Sequence, residues 1–277
     1  MIRRYEPSTI ASRIKRIQET HSADIDKSIK ESLVLDESSI QALCSSDIGI
    51  SIMKERFLGI GTVEVKDSSL VDCVKQQIML GYSVLVVNPG SYLEPCEGYG
   101  IYETRTQEAQ LCQSSTLYNV ELAFKDKYYN ANKKSYNKDL YKSNILYCSN
   151  IRFLRENTCS TLGIADVITV PPPNAVTARI AEVTEADIIR ALGERLSYAY
   201  QCGAIQQVDV LIVGAYGCYE YGNSPENVAA ILNILSRQYK SYFKKIIHPV
   251  EGKEFDIFNS IIISSDVHNQ CYNAEVM

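Results

Sequence analysis

The 277-residue sequence predicts an α/β fold on a central mixed, largely parallel sheet, preceded by an N-terminal helical extension. Three observations carry that prediction. Strand, helix and strand patterns follow one another between Gly61 and Val87. Two further apolar runs, at 166–170 and 209–213, end abruptly in turn-forming residues. Helical patterns separate the runs, which is the alternation that builds parallel sheets.

Taken in order, Ile10, Ile14, Ile17, Ile25, Ile29 and Leu33 fall three and four residues apart or in multiples, so 7–35 reads as helical. Such a helix packs on the outside of a core or binds a partner. Residues 61–65 alternate as a strand, and 67–69 cap a helix that runs to Ile78 and stops at Gly81. Residues 84–87 form a buried strand leading into Asn88, Pro89 and Gly90. After a long loop, 107–122 reads as a helix and 128–141 as a polar surface stretch. Residues 144–148 and 151–154 read as strand or paired strands. The 166–170 strand is stopped by Pro171, Pro172 and Pro173. A helix over 184–201 precedes the 209–213 strand, and Ser224 with Pro225 opens another helix. Residues 255–264 read as the final strand. With no internal repeat or hinge-like linker, the expected organisation is an extension over 1–55 and one α/β domain over 56–277.

Composition excludes several classes of function. Hydrophobic residues at 45% and charged residues at 22% describe a folded globular chain. The 28 basic and 33 acidic residues leave a net charge of −5 with no long basic block, so nucleic acid is not an expected partner. No run approaches the ~18 apolar residues of a membrane span. Nine cysteines without a C-x-x-C pair, and only three histidines, predict reduced thiols and neither a disulfide framework nor a metal site. Arg3 and Arg4 lead into a polar stretch rather than an export signal, so a cytoplasmic location is expected; with neither a P-loop nor a GxGxxG fingerprint, no cofactor is expected.

Ligands in such sheets gather where strands lead into helix N-termini. Two loops qualify. The loop over 214–223 places Gly214, Gly217 and Gly222 between an apolar strand and a capped helix, where glycine allows phosphate approach or serves a purely structural turn. The loop after Asn88 carries Glu94, Glu97, Glu103 and Glu108. Clustered carboxylates there are either solvated or used, as in glycosidic chemistry, to protonate a leaving oxygen. Cys96, Cys112 and Cys218 lie in or beside these loops, but His21, His248 and His268 offer no local base, so incidental thiols are the expectation.

The residues that remain resemble a known family. Asn88, Pro95, Gly98-Tyr99-Gly100, six further residues and then Gln107-Glu108-Ala109, continuing through Leu111-Cys112, Ser114-Ser115 and Leu117-Tyr118, resemble the microbial-type poly(ADP-ribose) glycohydrolase macrodomain. That family's signature is GGG, six to eight residues, then QEE. The second loop is similar to the family's diphosphate loop, retained as Gly214, Ala215, Gly217, Cys218, Gly222 and Asn223. The resemblance spans roughly 61–264.

It implies a macrodomain-like three-layer sandwich and a cleft for ADP-ribose or ADP-ribosylated protein. Ligand contacts would come from Asn88, Gly98, Tyr99, Gly100 and Gln107 on one side. Gly214, Ala215, Gly217, Cys218, Tyr219, Tyr221, Gly222 and Asn223 would supply the other. Glu108 matches the family's first Glu, which holds distal ribose hydroxyls, whereas Ala109 stands where the second Glu is the general acid. Tyr99 replaces the central glycine of GGG, and Tyr219 replaces a glycine of the diphosphate loop. Two functions follow. One is a divergent ADP-ribosyl hydrolase in which Glu108 or Glu103, or their loop neighbours Glu94 and Glu97, provides the acid. Such divergent hydrolases include bacterial host-directed effectors, whose site of action would be a host cytosol. The other is a reader that binds ADP-ribose without turnover.

Overall fold

The computed structural model describes residues 7–96, 99, 106–156 and 158–264. One sheet of seven strands organises it: β1 (Leu33–Leu35), β2 (Thr62–Lys66), β3 (Val84–Asn88), β4 (Ile145–Leu154), β5 (Thr161–Thr169), β6 (Val210–Val213) and β7 (Lys245–Pro249). Their order is β1-β4-β5-β3-β6-β7-β2. The pairings from β5 through β3, β6 and β7 to β2 are parallel, and those of β4 with β1 and β5 are antiparallel. The central strands β3 and β6 are buried along their whole length, as parallel strands covered on both faces must be.

Twelve helices cover the faces: α1 (Pro7–Thr20), α2 (Ser22–Glu31), α3 (Glu37–Ser45), α4 (Asp47–Ile52), α5 (Leu70–Met79), α6 (Gln107–Ser114), α7 (Leu117–Leu122), α8 (Asn130–Asn132), α9 (Ala175–Ile180), α10 (Glu185–Ile205), α11 (Pro225–Tyr239) and α12 (Glu254–Asn259) among the described residues. Strand alternation divides the core in two. Leu85, Val87, Leu211 and Val213 pack with Leu196 of α10 and Leu232 of α11. Val84, Val86, Val210 and Ile212 face the other way, onto Ile17, Ile25 and Val74. The result is the expected three-layer α/β sandwich.

Several sequence expectations need correction. Residues 255–264 are helical rather than a strand: α12 continues as a π turn over Ser260–Ser264. Phe258 and Ile262, one turn apart, are the buried pair, and a short apolar run does not itself distinguish strand from helix. The last strand is instead β7, whose Ile246 and Ile247 continue the sheet beyond β6. The helical reading of 7–35 resolves into α1, α2 and the edge strand β1, which pairs with β4. Residues 107–122 are two helices, because Ser115 and Thr116 leave the helical path to pair with Phe153 and Arg152. The 128–141 segment is not simply surface: Tyr128, Tyr129 and Asn132 are buried, and the Tyr128 hydroxyl donates to the Asn144 carbonyl.

Candidate functional site

The two loops singled out by sequence leave the carboxyl ends of the adjacent parallel strands β3 and β6. In the second loop, Asn223 donates backbone N–H to the Gly217 carbonyl at 3.1 Å. Its amide Nδ2 donates to the carbonyls of Gly217 and Pro173, both at 3.0 Å. Gly217 sits at φ +68°, and a Cβ there would lie 2.6 Å from Asn223 Nδ2 and 2.7 Å from Pro172 Cβ. At Gly222, φ is +61°, and a Cβ would meet Val176 Cγ2 at 2.5 Å. Both glycines are therefore demanded by the loop's own packing, through positive φ and close approach. Tyr216 is buried and its hydroxyl donates to the Val170 carbonyl at 3.0 Å. Ala215 is buried beside it, while Cys218 and Tyr221 are half-buried.

Beneath this loop lies a histidine that the sequence reading set aside as having no local partner. His248 of β7 is fully enclosed, and burial pushes its imidazole down to about 4, so the ring is neutral at physiological pH. Its Nδ1 lies 3.0 Å from the Val213 carbonyl and its Nε2 lies 3.0 Å from Ser236 Oγ. A carbonyl only accepts, so Nδ1 carries the proton and Nε2 accepts from Ser236. Ser236 also meets the Tyr200 hydroxyl at 2.9 Å. Val213 lies just past the last β6–β7 pair, and the histidine satisfies its carbonyl where that ladder ends.

The first loop is organised by Glu108. Thr106 caps α6 by accepting from the Ala109 N–H at 3.0 Å, which sets Gln107 and Glu108 in the first turn. Glu108 is 5% exposed, and its Oε2 accepts the Ser91 N–H at 3.1 Å. A Cβ at Gly90 would stand 2.7 Å from Glu108 Oε1, 3.0 Å from Asn88 Nδ2 and 2.6 Å from Thr169 Cγ2. Gly90 is thus the bare backbone on which these three side chains converge. Asn88 is buried, with Nδ2 donating to Thr169 Oγ1 at 3.0 Å. Thr169 Oγ1 in turn donates to Glu121 Oε1 at 2.7 Å. Burial pushes the Glu121 carboxyl up to about 7, against the hydrogen bonds from Thr169 and Asn88. Glu121 is a residue that sequence reading missed. Its only signal was a carboxylate four residues after Leu117, on the apolar face of α7.

The loops meet. Tyr221 donates its hydroxyl to the Gly90 carbonyl at 3.5 Å, and a Cβ at Gly214 would lie 2.7 Å from Gln107 Nε2. Alongside Gln107 runs a groove of about 440 Å³, lined by Ser68, Gln110, Tyr219 and Glu251 among others. Tyr219 is 42% exposed and reaches across, its hydroxyl donating to the Glu251 carbonyl at 3.4 Å.

Three of the candidate residues behave otherwise. Tyr99 is turned into the core against Cys96 and Cys112 rather than toward the cleft, its ring edge-on to Tyr118 at 5.0 Å. Ala109 is likewise enclosed. Glu94 makes ion pairs with Lys133 and Lys125, and the hydrogen bond from Lys133 above all holds its carboxyl below the usual range, so it is a poor proton donor. Gly98, Gly100, Glu97 and Glu103 lie outside the described residues. Burial pushes the thiols of Cys96 and Cys218 up to about 12 and that of Cys112 well above its ordinary value, which leaves no thiolate nucleophile among them.

Residues 9–156, more than half of the chain, match the microbial-type PARG catalytic domain. The chain belongs to this family. The match begins at residue 9, within α1. No curated protein matches the chain. Among solved structures, poly(ADP-ribose) glycohydrolase from Thermomonospora curvata, in a point-mutant form, is 19% identical with a TM-score of 0.79, covering 93% of this chain and all of that one. The same enzyme bound to the inhibitor ADP-HPD is 18% identical, with a TM-score of 0.76 over 92% of this chain and 98% of that one. A mutant of the Deinococcus radiodurans enzyme in complex with ADP-ribose is 20% identical, with a TM-score of 0.75 over 87% and 98%. These likenesses establish the fold. No helix among the described residues is long and apolar enough to cross a membrane.

Proposed function

We propose that this PARG-family chain binds ADP-ribose across the two loops and hydrolyses ADP-ribosylated protein, with Glu108 as its principal catalytic carboxylate. One observation carries the reading: Glu108 is held by the Ser91 N–H at the end of β3, beside the bare backbone of Gly90 and one residue from Gln107. Solved relatives hold ADP-ribose or ADP-HPD. In this chain the pyrophosphate would lie on the glycine-bearing turns, where backbone N–H groups give charge-assisted bonds. The distal ribose would face Glu108. Cleavage at the anomeric carbon passes through an oxocarbenium-like state; a carboxylate stabilises it, and in acid form protonates the leaving oxygen while water adds to the sugar. Glu103 is the second candidate for that proton. The free thiols among the described residues suit the cytoplasmic location read from the sequence.

A reader without turnover is the second reading, and Ala109 favours it, since a methyl group donates no proton. Calorimetric titration with ADP-ribose and AMP, followed by an ADP-ribose release assay on a mono-modified protein, separates the two. The proposal expects micromolar ADP-ribose binding, weaker AMP binding and measurable release. Binding without release supports the reader. Equal affinity for the two nucleotides, or none, removes the cleft assignment.

A further inference from the structure

Behind the Glu108 carboxylate stands a second one that the proposed chemistry does not use. Glu121 is wholly enclosed, its Oε1 2.7 Å from Thr169 Oγ1 and 3.5 Å from Asn88 Nδ2. Asn88 and Thr169 are cross-strand partners at the end of the β3–β5 ladder. Among the described residues, Asn88 Oδ1 has no hydrogen-bond partner although the residue is fully buried. We infer that Glu121 is a positioning residue which, through Thr169, sets which end of the Asn88 side-chain amide is turned away from the relay beside Gly90 and Glu108.

A threonine hydroxyl owns one proton. While Glu121 is ionised it takes that proton, so Thr169 Oγ1 accepts from Asn88 Nδ2 and the amide oxygen is left as an open acceptor. That is the arrangement observed. When Glu121 takes up a proton it becomes the donor to Thr169. The threonine proton is then free to point at Asn88, where the amide oxygen becomes the better partner. The amide turns over, and an N–H replaces an open acceptor. An unmet buried acceptor costs more than an ordinary hydrogen bond gains, so the choice of end matters to any ligand hydroxyl that reaches it.

The surroundings permit this titration near neutrality. The ionisable groups that feel Glu121 are Cys96 of the first loop, Cys112 of α6, Tyr118 of α7, Tyr128 and Tyr129 of the following π turn, and Cys148 of β4. All are neutral at pH 7 with raised pKa values, so none supplies a positive charge to hold the carboxylate ionised. Glu108 is the neighbouring acid across Gly90.

The inference rests on the ADP-ribose reading for its consequence, though not for its test. Side-chain amide resonances of Asn88 in the free, isotopically labelled protein are followed by NMR from about pH 5.5 to 8.5. They should titrate with a midpoint near 7. The titration should vanish in Glu121→Gln and in Thr169→Val, the second variant serving if the first fails to fold. In parallel, ADP-ribose affinity of the parent should rise about tenfold from the acid to the alkaline side, the worth of one hydrogen bond, and be flat in both variants. Asn88 resonances that do not move with pH, or that move equally in both variants, overturn the relay. Resonances that titrate as described in a protein that binds no ADP-ribose uphold the relay and remove the ADP-ribose reading instead.

Discussion

The two loops of the cleft rest on opposite kinds of support. Under the β6 loop lies a neutral chain of Tyr200, Ser236 and His248, which closes on the Val213 carbonyl through bonds between uncharged groups. Under the β3 loop lies Asn88, Thr169 and Glu121, ending in a carboxyl that titrates near neutrality. Burial drives both groups toward the neutral form, the imidazole downward and the carboxyl upward. At pH 7 the histidine has settled there and the glutamate has not. The glycine-bearing side is thus built to hold one shape, while the side that carries Glu108 is responsive to protons.

Substitutions at the two titrating groups should change stability most. The His248 pKa is lower folded than unfolded, so its contribution is fully present above about pH 6.5 and is lost as pH falls toward 4. The loss is on the order of 3 kcal/mol. In urea unfolding, His248→Gln, which retains a donor for Val213, should flatten this acid limb. Glu121 has the opposite sign. Its folded pKa is raised from 4.5 to about 7, so its contribution is greatest below pH 4.5 and is lost as pH rises through 7. In the window between, the two groups offset one another. Glu121→Gln should therefore steepen the acid limb by an amount also on the order of 3 kcal/mol, and the double variant should restore a shallow profile. If either single variant leaves the stability–pH curve unchanged, the contrast between the loops fails on that side.

A smaller effect sharpens the rigidity of the second loop. Gly217→Ala places a Cβ at φ +68° against Asn223 and Pro172, which costs about 1–2 kcal/mol for the left-handed backbone alone. ADP-ribose affinity should fall with it, as measured by calorimetry. Because the substitution disturbs the loop itself, weaker binding here reports a deformed turn as well as a crowded phosphate. The smallest effect is a control: Ser224→Ala removes the cap that accepts from the Asn227 N–H, costing about 1 kcal/mol in thermal unfolding at neutral pH; the same hydroxyl donates to Glu226, so any change in pH dependence should be confined to that carboxylate's own range below 4.5 and leave the limb between 4.5 and 7 as it is.

Much of this arrangement was legible in the sequence, and the failures have physical reasons. The order from β2 through α5 to β3, and the entry of β6 into Gly214, follow from apolar runs bounded by caps and glycines, signals that are local. The Gln107-Glu108 turn and the Asn223 loop were legible by resemblance. The roles of Glu121 and His248 were not, because they depend on partners distant in the chain: Asn88 and Thr169 for one, Val213 and Ser236 for the other. A single carboxylate on an apolar helix face looks the same whether it is solvated or buried. Strand β1 was missed because three residues after a helix carry too little alternation to stand out, and it is pairing with β4 that makes them a strand. Tyr99 misled for a different reason: its alignment with a cleft glycine says nothing about a ring that packs inward against Tyr118.

The most direct test of the central claim is release of ADP-ribose from a mono-ADP-ribosylated protein by the parent, Glu108→Gln and Glu103→Gln, with ADP-ribose affinity measured on the same samples. Glutamine keeps the size and an acceptor for the Ser91 N–H while removing the acid. Glu108→Gln should slow release by roughly 10²–10⁴-fold, the worth of a positioned acid, with affinity within a few-fold of the parent. Release at the parent rate from Glu108→Gln would rule out Glu108 as the catalytic carboxylate.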